Sequence, residues 1–253
     1  MAWIQASYFS DALEMCVNCN VLLPVSDYNR KDLPRRKTLW LLHGAFGNCD
    51  DWMRRTSIER YAQKLNLAVV MPSAQLSSYM DMQHGGRFYT YISQELPGKM
   101  RAMFPLSEKR EDNYIAGLSM GGFGAMMLGM ANPETYSAVG CLSSGIDYVG
   151  GILPDRTVLG RVAYMQGYRD VRGNALLIAR GEAPKVRVFM AVGQQDELLP
   201  AARVGQDFFR AFPTSAFDFT WQEGPGGHTW EFWDEYIQHF LLWLNLPEVP
   251  GLH

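Results

Sequence analysis

The sequence predicts an α/β domain with a mostly parallel sheet covered by helices on both faces. Short, continuous apolar runs recur along the chain and read as strands buried on both sides. Helical patterns lie between those runs, and the alternation implies parallel pairing through crossover helices. At 253 residues the chain suffices for one large domain with a substantial core, so residues 1–253 are read as a single domain.

Taken in order, residues 3–9 and 15–23 read as two strands forming an antiparallel hairpin at one edge. The polar, charged stretch 27–37 carries Pro34 and reads as a surface loop. Strands follow at 38–42, ending in His43-Gly44, and at 67–71, ending in Pro72. Further strands are expected at 113–116, 138–142, 186–192 and 218–222. Helices are expected at 57–64, 89–104, 121–131, 201–212 and 229–244, with Pro97 a kink or break in the second. Residues 145–184 contain no buried strand and read as a cap or lid inserted over the carboxyl edge of the sheet, where ligands of such sheets bind.

Composition narrows the function. Apolar residues make up 47% and charged residues 19%, as in ordinary globular proteins. A net charge of −3 gives no reason to expect nucleic acid or an anionic membrane as partner. The start, Met1-Ala2-Trp3-Ile4-Gln5, lacks the basic and apolar regions of a secretory signal. The apolar stretch 240–246 is broken by Asn245 and is too short to span a bilayer. Cys16 and Cys19 form a C-x-x-C within an expected strand, where residues three apart face opposite ways. They read as two isolated reduced thiols, and a cytoplasmic location is expected.

One hexapeptide carries the chemistry: Gly117-Leu118-Ser119-Met120-Gly121-Gly122, between an expected strand and an expected helix. A serine hydroxyl attacks only when a base takes its proton and donors hold the oxyanion that forms. A sharp strand-to-helix turn serves both needs and requires small neighbours, here Gly117 and Gly121. One oxyanion donor is expected from the Met120 N–H. The other comes from the loop His43-Gly44-Ala45-Phe46-Gly47-Asn48, with Ala45 favoured and Phe46 the alternative. His43 precedes the nucleophile and is read as a brace for that loop.

The base should be a histidine late in the chain. His253 is terminal and His239 falls in a helical pattern, which leaves His228, after the glycine-rich Glu223–Gly227. The acid should follow a strand and precede His228. Asp196 fits, with Glu197 as runner-up, while Asp207 falls in a helix and Asp147 and Asp155 come too early. Phe46, Trp52, Tyr79 and Trp230 are candidates to line an acyl or alcohol pocket, with core packing the alternative for each. Phe46 and Trp230 are the preferred substrate contacts.

These motifs, with Gly227-His228-Thr229-Trp230-Glu231-Phe232-Trp233, resemble the putative-esterase family. That family comprises esterase D (S-formylglutathione hydrolase) and bacterial tributyrin and acetyl esterases. The resemblance covers nearly the whole chain, with Val69–Pro72, Glu95–Pro97, Lys109–Glu111 and Gly193–Asp196 also at matching positions. It is closest to the tributyrin esterases. It implies an α/β-hydrolase fold, hydrolysis of short-chain acyl esters with acetylated sugars among the candidates, a Ser119–Asp196–His228 triad and a homo-oligomer. No metal or cofactor is required. Esterase D carries a cysteine in the loop after its His-Gly dipeptide. Here Ala45-Phe46-Gly47-Asn48 stands there, which weighs against a thioesterase, although Cys49 follows. A thioesterase and an acyltransferase remain the alternatives for the same triad.

Overall fold

The computed structural model describes residues 1–25, 34–82, 85–147 and 170–248. In chain order the elements are β1 (Ala2–Ser10), β2 (Met15–Leu23), β3 (Thr38–Leu42), α1 (Asp51–Arg55), α2 (Ile58–Lys64) and β4 (Ala68–Pro72). Next come α3 (Phe88–Thr90), a π-helical turn (Tyr91–Glu95), α4 (Leu96–Met103), a 3-10 turn (Arg110–Asp112), β5 (Asn113–Leu118) and α5 (Met120–Ala131). The last are β6 (Ala138–Leu142), α6 (Val171–Ala179), β7 (Arg187–Gly193), α7 (Leu199–Arg210), β8 (Phe219–Gly224) and α8 (Trp230–Trp243).

The eight strands form one sheet in the order β1-β2-β4-β3-β5-β6-β7-β8. The β1–β2 and β2–β4 pairs are antiparallel and the other five are parallel. The hairpin therefore lies at one edge, as the sequence predicts. Strands β3, β4, β5 and β6 are buried at every residue, because both faces are covered. Trp40 and Leu42 join the core that α4, α5, α6 and α7 cover. Leu39 and Leu41, one residue out of phase, join the core beneath α1, α2 and α8.

Cys16 and Cys19 of β2 pair with Phe9 and Ala6 of β1; the first thiol is exposed and the second buried. All four cysteines are free.

Two elements differ from the expectation. The loop after β3 contains α1, too short to show an apolar period. The expected helix 89–104 is continuous through Pro97 rather than broken. Pro97 sits in the first turn of α4, and the preceding turn widens so that the Leu96 N–H reaches the Tyr91 carbonyl. Widening the turn makes room for a ring that would collide with a carbonyl four residues earlier, at a point where proline has no N–H to offer.

Of the expected cap, residues 148–169 lie outside the described residues. Residues 170–184 include α6, which turns Val171, Ala175 and Ile178 inward. Among the described residues no helix is long and apolar enough to cross a membrane.

Candidate active site

The site sits at the carboxyl edge of the parallel strands, where five neighbouring strands deliver their following loops. Ser119 follows β5 directly and caps α5, with φ 52° and ψ −120°. That backbone conformation is strained for any residue with a Cβ. Its surroundings hold it there. The Ser119 N–H donates to the Leu142 carbonyl at 2.8 Å, and the Phe123 N–H donates to the Ser119 carbonyl at 3.0 Å.

The flanking glycines are required by close approach. A Cβ on Gly117 would lie 2.4 Å from the Gly121 carbonyl oxygen. One on Gly121 would lie 2.5 Å from the His43 carbonyl oxygen and 2.6 Å from that of Leu42. The hexapeptide thus folds as a turn pressed against the loop after β3.

His228 Nε2 lies 2.9 Å from Ser119 Oγ, and His228 Nδ1 lies 3.1 and 3.0 Å from the two Asp196 carboxylate oxygens. With Nδ1 facing a carboxylate, that nitrogen carries the proton and Nε2 is left to accept from the serine hydroxyl. Asp196 is buried whereas Glu197 is exposed. Burial alone would raise the Asp196 pKa. Hydrogen bonds from His228, the Leu198 N–H and Ser143 more than offset it and hold the carboxyl below its ordinary range.

The loops bearing acid and base are tied together. Gln195 N–H donates to the Gly226 carbonyl at 2.9 Å, and Gly226 N–H donates to Gln195 Oε1 at 2.8 Å. Behind His228, Trp233 meets its ring edge-on at 4.9 Å, Trp230 meets Trp233 at 5.2 Å, and Trp52 meets Trp230 at 5.4 Å. These edge-to-face contacts fix the imidazole plane.

Met120 opens α5, so its N–H belongs to the first helical turn, which has no carbonyl a turn earlier to accept it. It lies one residue from Ser119, at the positive end of the helix dipole. On the opposite side, residues 44–47 form a turn closed by Gly47 N–H to Gly44 O at 3.3 Å, with Phe46 in the left-handed region at φ 65°. A Cβ on Gly44 would lie 3.5 Å from the Ser119 Cβ, so the start of this turn lies against the serine.

His43 supports this turn from behind. Its Nδ1 donates to the Gly44 carbonyl at 2.6 Å and its Nε2 accepts from the Ala74 N–H at 2.9 Å. Burial pushes its pKa down, in keeping with a neutral ring.

Of the four aromatic candidates, Phe46 is 76% exposed and Trp230 half-buried. Trp52 and Tyr79 are fully buried; the Trp52 indole donates to the Leu42 carbonyl and the Tyr79 hydroxyl to the His43 carbonyl. They shape the loop from beneath and have no surface to offer a substrate. His239 is half-buried and bonded to Gln222, Asp207 is exposed on α7, and Asp147 pairs with Arg172. His84, Asp155 and His253 lie outside the described residues.

Asp196, Glu197 and His228 place potential metal-ligand atoms within 4.8 Å of one another. Both His228 nitrogens are already engaged, by Asp196 and Ser119, which leaves no ring lone pair for an ion.

Fold and site together define a protein of the α/β-hydrolase class. Residues 10–244 match the putative-esterase family. An acetyl esterase of Caldicellulosiruptor saccharolyticus is 31% identical over 97% of this chain and 98% of its own length. The fluorophosphonate-binding serine hydrolase F of Staphylococcus aureus superposes with a TM-score of 0.85 at 29% identity, covering 96% of this chain and 98% of that one. An S-formylglutathione hydrolase of Staphylococcus aureus follows with a TM-score of 0.82, again at 29% identity and with the same coverage. The chain belongs to the putative-esterase family and is a serine hydrolase acting on carboxylic esters.

Proposed function

We propose that the chain hydrolyses short-chain acyl esters through an acyl-enzyme on Ser119. The observation that carries this reading is the unbroken relay from Ser119 Oγ through the His228 ring to the buried Asp196 carboxylate. His228 Nε2 takes the hydroxyl proton as Ser119 Oγ bonds to the ester carbonyl carbon. The resulting oxyanion accepts from the Met120 N–H and from Ala45, or from Phe46 beside it. The tetrahedral intermediate collapses, the alkoxide leaves with the proton now on His228, and the acyl group stays on Ser119. Water then attacks the acyl carbon, gives its proton to His228, and releases the acid as the proton returns to Ser119.

The acetyl esterase likeness favours a small acyl group. A fluorophosphonate probe should label Ser119 at neutral pH, and no labelling would sink the triad reading. Across p-nitrophenyl esters from acetate to octanoate, kcat/KM should be highest for the shortest acyl chains. An optimum at octanoate would overturn the short-chain assignment alone.

A further inference from the structure

β1 forms one edge of the sheet, and among the described residues no strand pairs with its outer side. Backbone groups along such a strand alternate between facing the neighbour and facing away from it. Asn18 of β2 gives its carbonyl to the Ser73 N–H beyond β4 at 3.2 Å, so its backbone groups face away from β1. Ser7 lies opposite Asn18, so its own N–H and carbonyl are turned away from β2. By alternation the same holds for Trp3, Gln5 and Phe9. The Lys99 ammonium reaches the Phe9 carbonyl at 3.2 Å, in agreement with that assignment. Among the described residues it is the only partner that any of these outward backbone groups finds. Natural edge strands are protected by charged side chains, proline or a bulge. β1 has no charged residue and no proline, and it pairs with β2 through all nine residues without a bulge. Lys99, at the far end of the strand, is already paired with Asp11 at 3.1 Å and Glu95 at 3.6 Å.

We propose that the outer edge of β1 pairs antiparallel with β1 of a second copy of this chain, joining the two sheets across a two-fold axis beside Ala6. The strand itself selects this occupant, because its residue types are nearly palindromic about Ala6. Antiparallel pairing centred there sets Trp3 of one copy opposite Phe9 of the other, Gln5 opposite Ser7, and Ile4 opposite Tyr8. Trp3, Gln5, Ser7 and Phe9 are also the residues whose N–H and carbonyl groups face outward, so all four fall in hydrogen-bonded pairs. Their side chains share one face of the sheet, where Trp3 is 52% and Phe9 54% exposed. The pairing sets a Trp3 ring beside a Phe9 ring on each side of the axis, as an isologous interface requires. The Trp3 indole is held on that face by Asn20 Oδ1 at 2.9 Å. On the other face Ile4 and Tyr8 pack against the core, so the strand keeps its place in its own sheet.

Sedimentation velocity on the full chain tests this. The wild type should sediment at twice the 28.6 kDa of one chain. The double variant Gln5→Lys/Ser7→Lys sets like charges opposite one another on both sides of the axis, and should sediment as one chain. The double variant Gln5→Lys/Ser7→Glu sets opposite charges there and should regain the wild-type mass. Both positions are exposed, and β2, β4 and β3 separate them from the strand that carries Ser119. A wild type that stays a single chain at high micromolar concentration overturns the proposal and leaves the edge open to an extended segment of another protein. A wild-type dimer that the paired lysines leave intact also overturns it, since the interface then lies elsewhere. If both double variants sediment as one chain, the register about Ala6 is overturned. A larger wild-type assembly that halves with the paired lysines and recovers with the lysine–glutamate pair supports the edge as one of its interfaces. Should Gln5→Lys/Ser7→Lys fail to fold, Ser7→Pro decides on the same terms. It deletes an outward N–H, leaves the bonds to β2 in place, and should give a single chain.

Discussion

At the scale of single residues, the site combines strain with burial. Ser119 occupies φ 52°, ψ −120°, a conformation that costs a residue with a Cβ about 1–3 kcal/mol. In that conformation the hydroxyl stands 2.9 Å from His228 Nε2. Ser119→Gly and Ser119→Ala should both abolish hydrolysis, yet they should differ in stability. The alanine keeps the strain and the glycine relieves it, so the glycine variant should melt roughly 2–4 °C higher, the shift about 1 kcal/mol produces in a domain of this size. Equal Tm values would show that the backbone there is not strained. The acid is similarly specific. Asp196 is buried and bonded to His228, whereas Glu197 beside it is exposed. Asp196→Asn should lower kcat by roughly 10³–10⁴-fold by disturbing the His228 tautomer, and Glu197→Gln should leave it within a few-fold of wild type. Steady-state kinetics on one short-chain ester would decide, and the reverse ranking would move the acid to Glu197.

At the scale of elements, two glycines on helices behave in opposite ways. Gly121 lies in the first turn of α5, and a Cβ there would strike the backbone oxygens of His43 and Leu42, which cannot swing aside. Gly121→Ala should cost at least about 2 kcal/mol and displace the turn that carries Ser119. Gly98 is exposed on α4 with open space around it, so Gly98→Ala should stabilise the protein by roughly 0.5–1 kcal/mol through helix propensity alone. Urea unfolding of the two variants measures both. The same contrast shows what a sequence makes legible at this scale. The buried strands announce themselves because a strand covered on both faces must be apolar throughout, as Leu39 to Leu42 and Val188 to Val192 are. The turn at Ser119 is legible because its glycines are demanded by contacts within a few residues. The five-residue α1 and the widened turn before Pro97 carry no such pattern. The first is too short for an apolar period, and the second depends on how a proline ring is accommodated in three dimensions.

At the scale of the whole molecule, what was hidden is what depends on long-range contact. Ser143 meets Trp233 ninety positions away, and nothing local distinguishes it from Ser144. The meeting of Ser119, His228 and Asp196 could be read because the order of strands in such a sheet fixes which loops converge; the contacts behind them could not. Long-range pairing also sets the response of the fold to acid. Asp112 accepts from Lys37 at 2.5 Å and from Ser107 at 2.7 Å, joining the segments that lead into β3 and β5. Burial alone would raise its pKa, but these bonds hold it below the ordinary carboxylate range, as the bonds to Asp196 do there. A carboxyl whose folded pKa is depressed contributes stability that is present above its unfolded pKa and is lost as pH falls through the folded value. The urea midpoint should therefore drop as pH is lowered from 6 through the carboxylate range towards 2. Asp112→Asn should lower stability at pH 6 by about 1 kcal/mol and flatten that descent, converging on the wild type in acid. Asp147 is also held below its ordinary range, mainly by its hydrogen bonds from Arg172, but its side chain is half exposed and solvent and salt screen the pair. Asp147→Asn should leave the curve nearly unchanged. If the two variants flattened the curve equally, burial would not be what separates them, and the acid response would have to be assigned to surface charge as a whole.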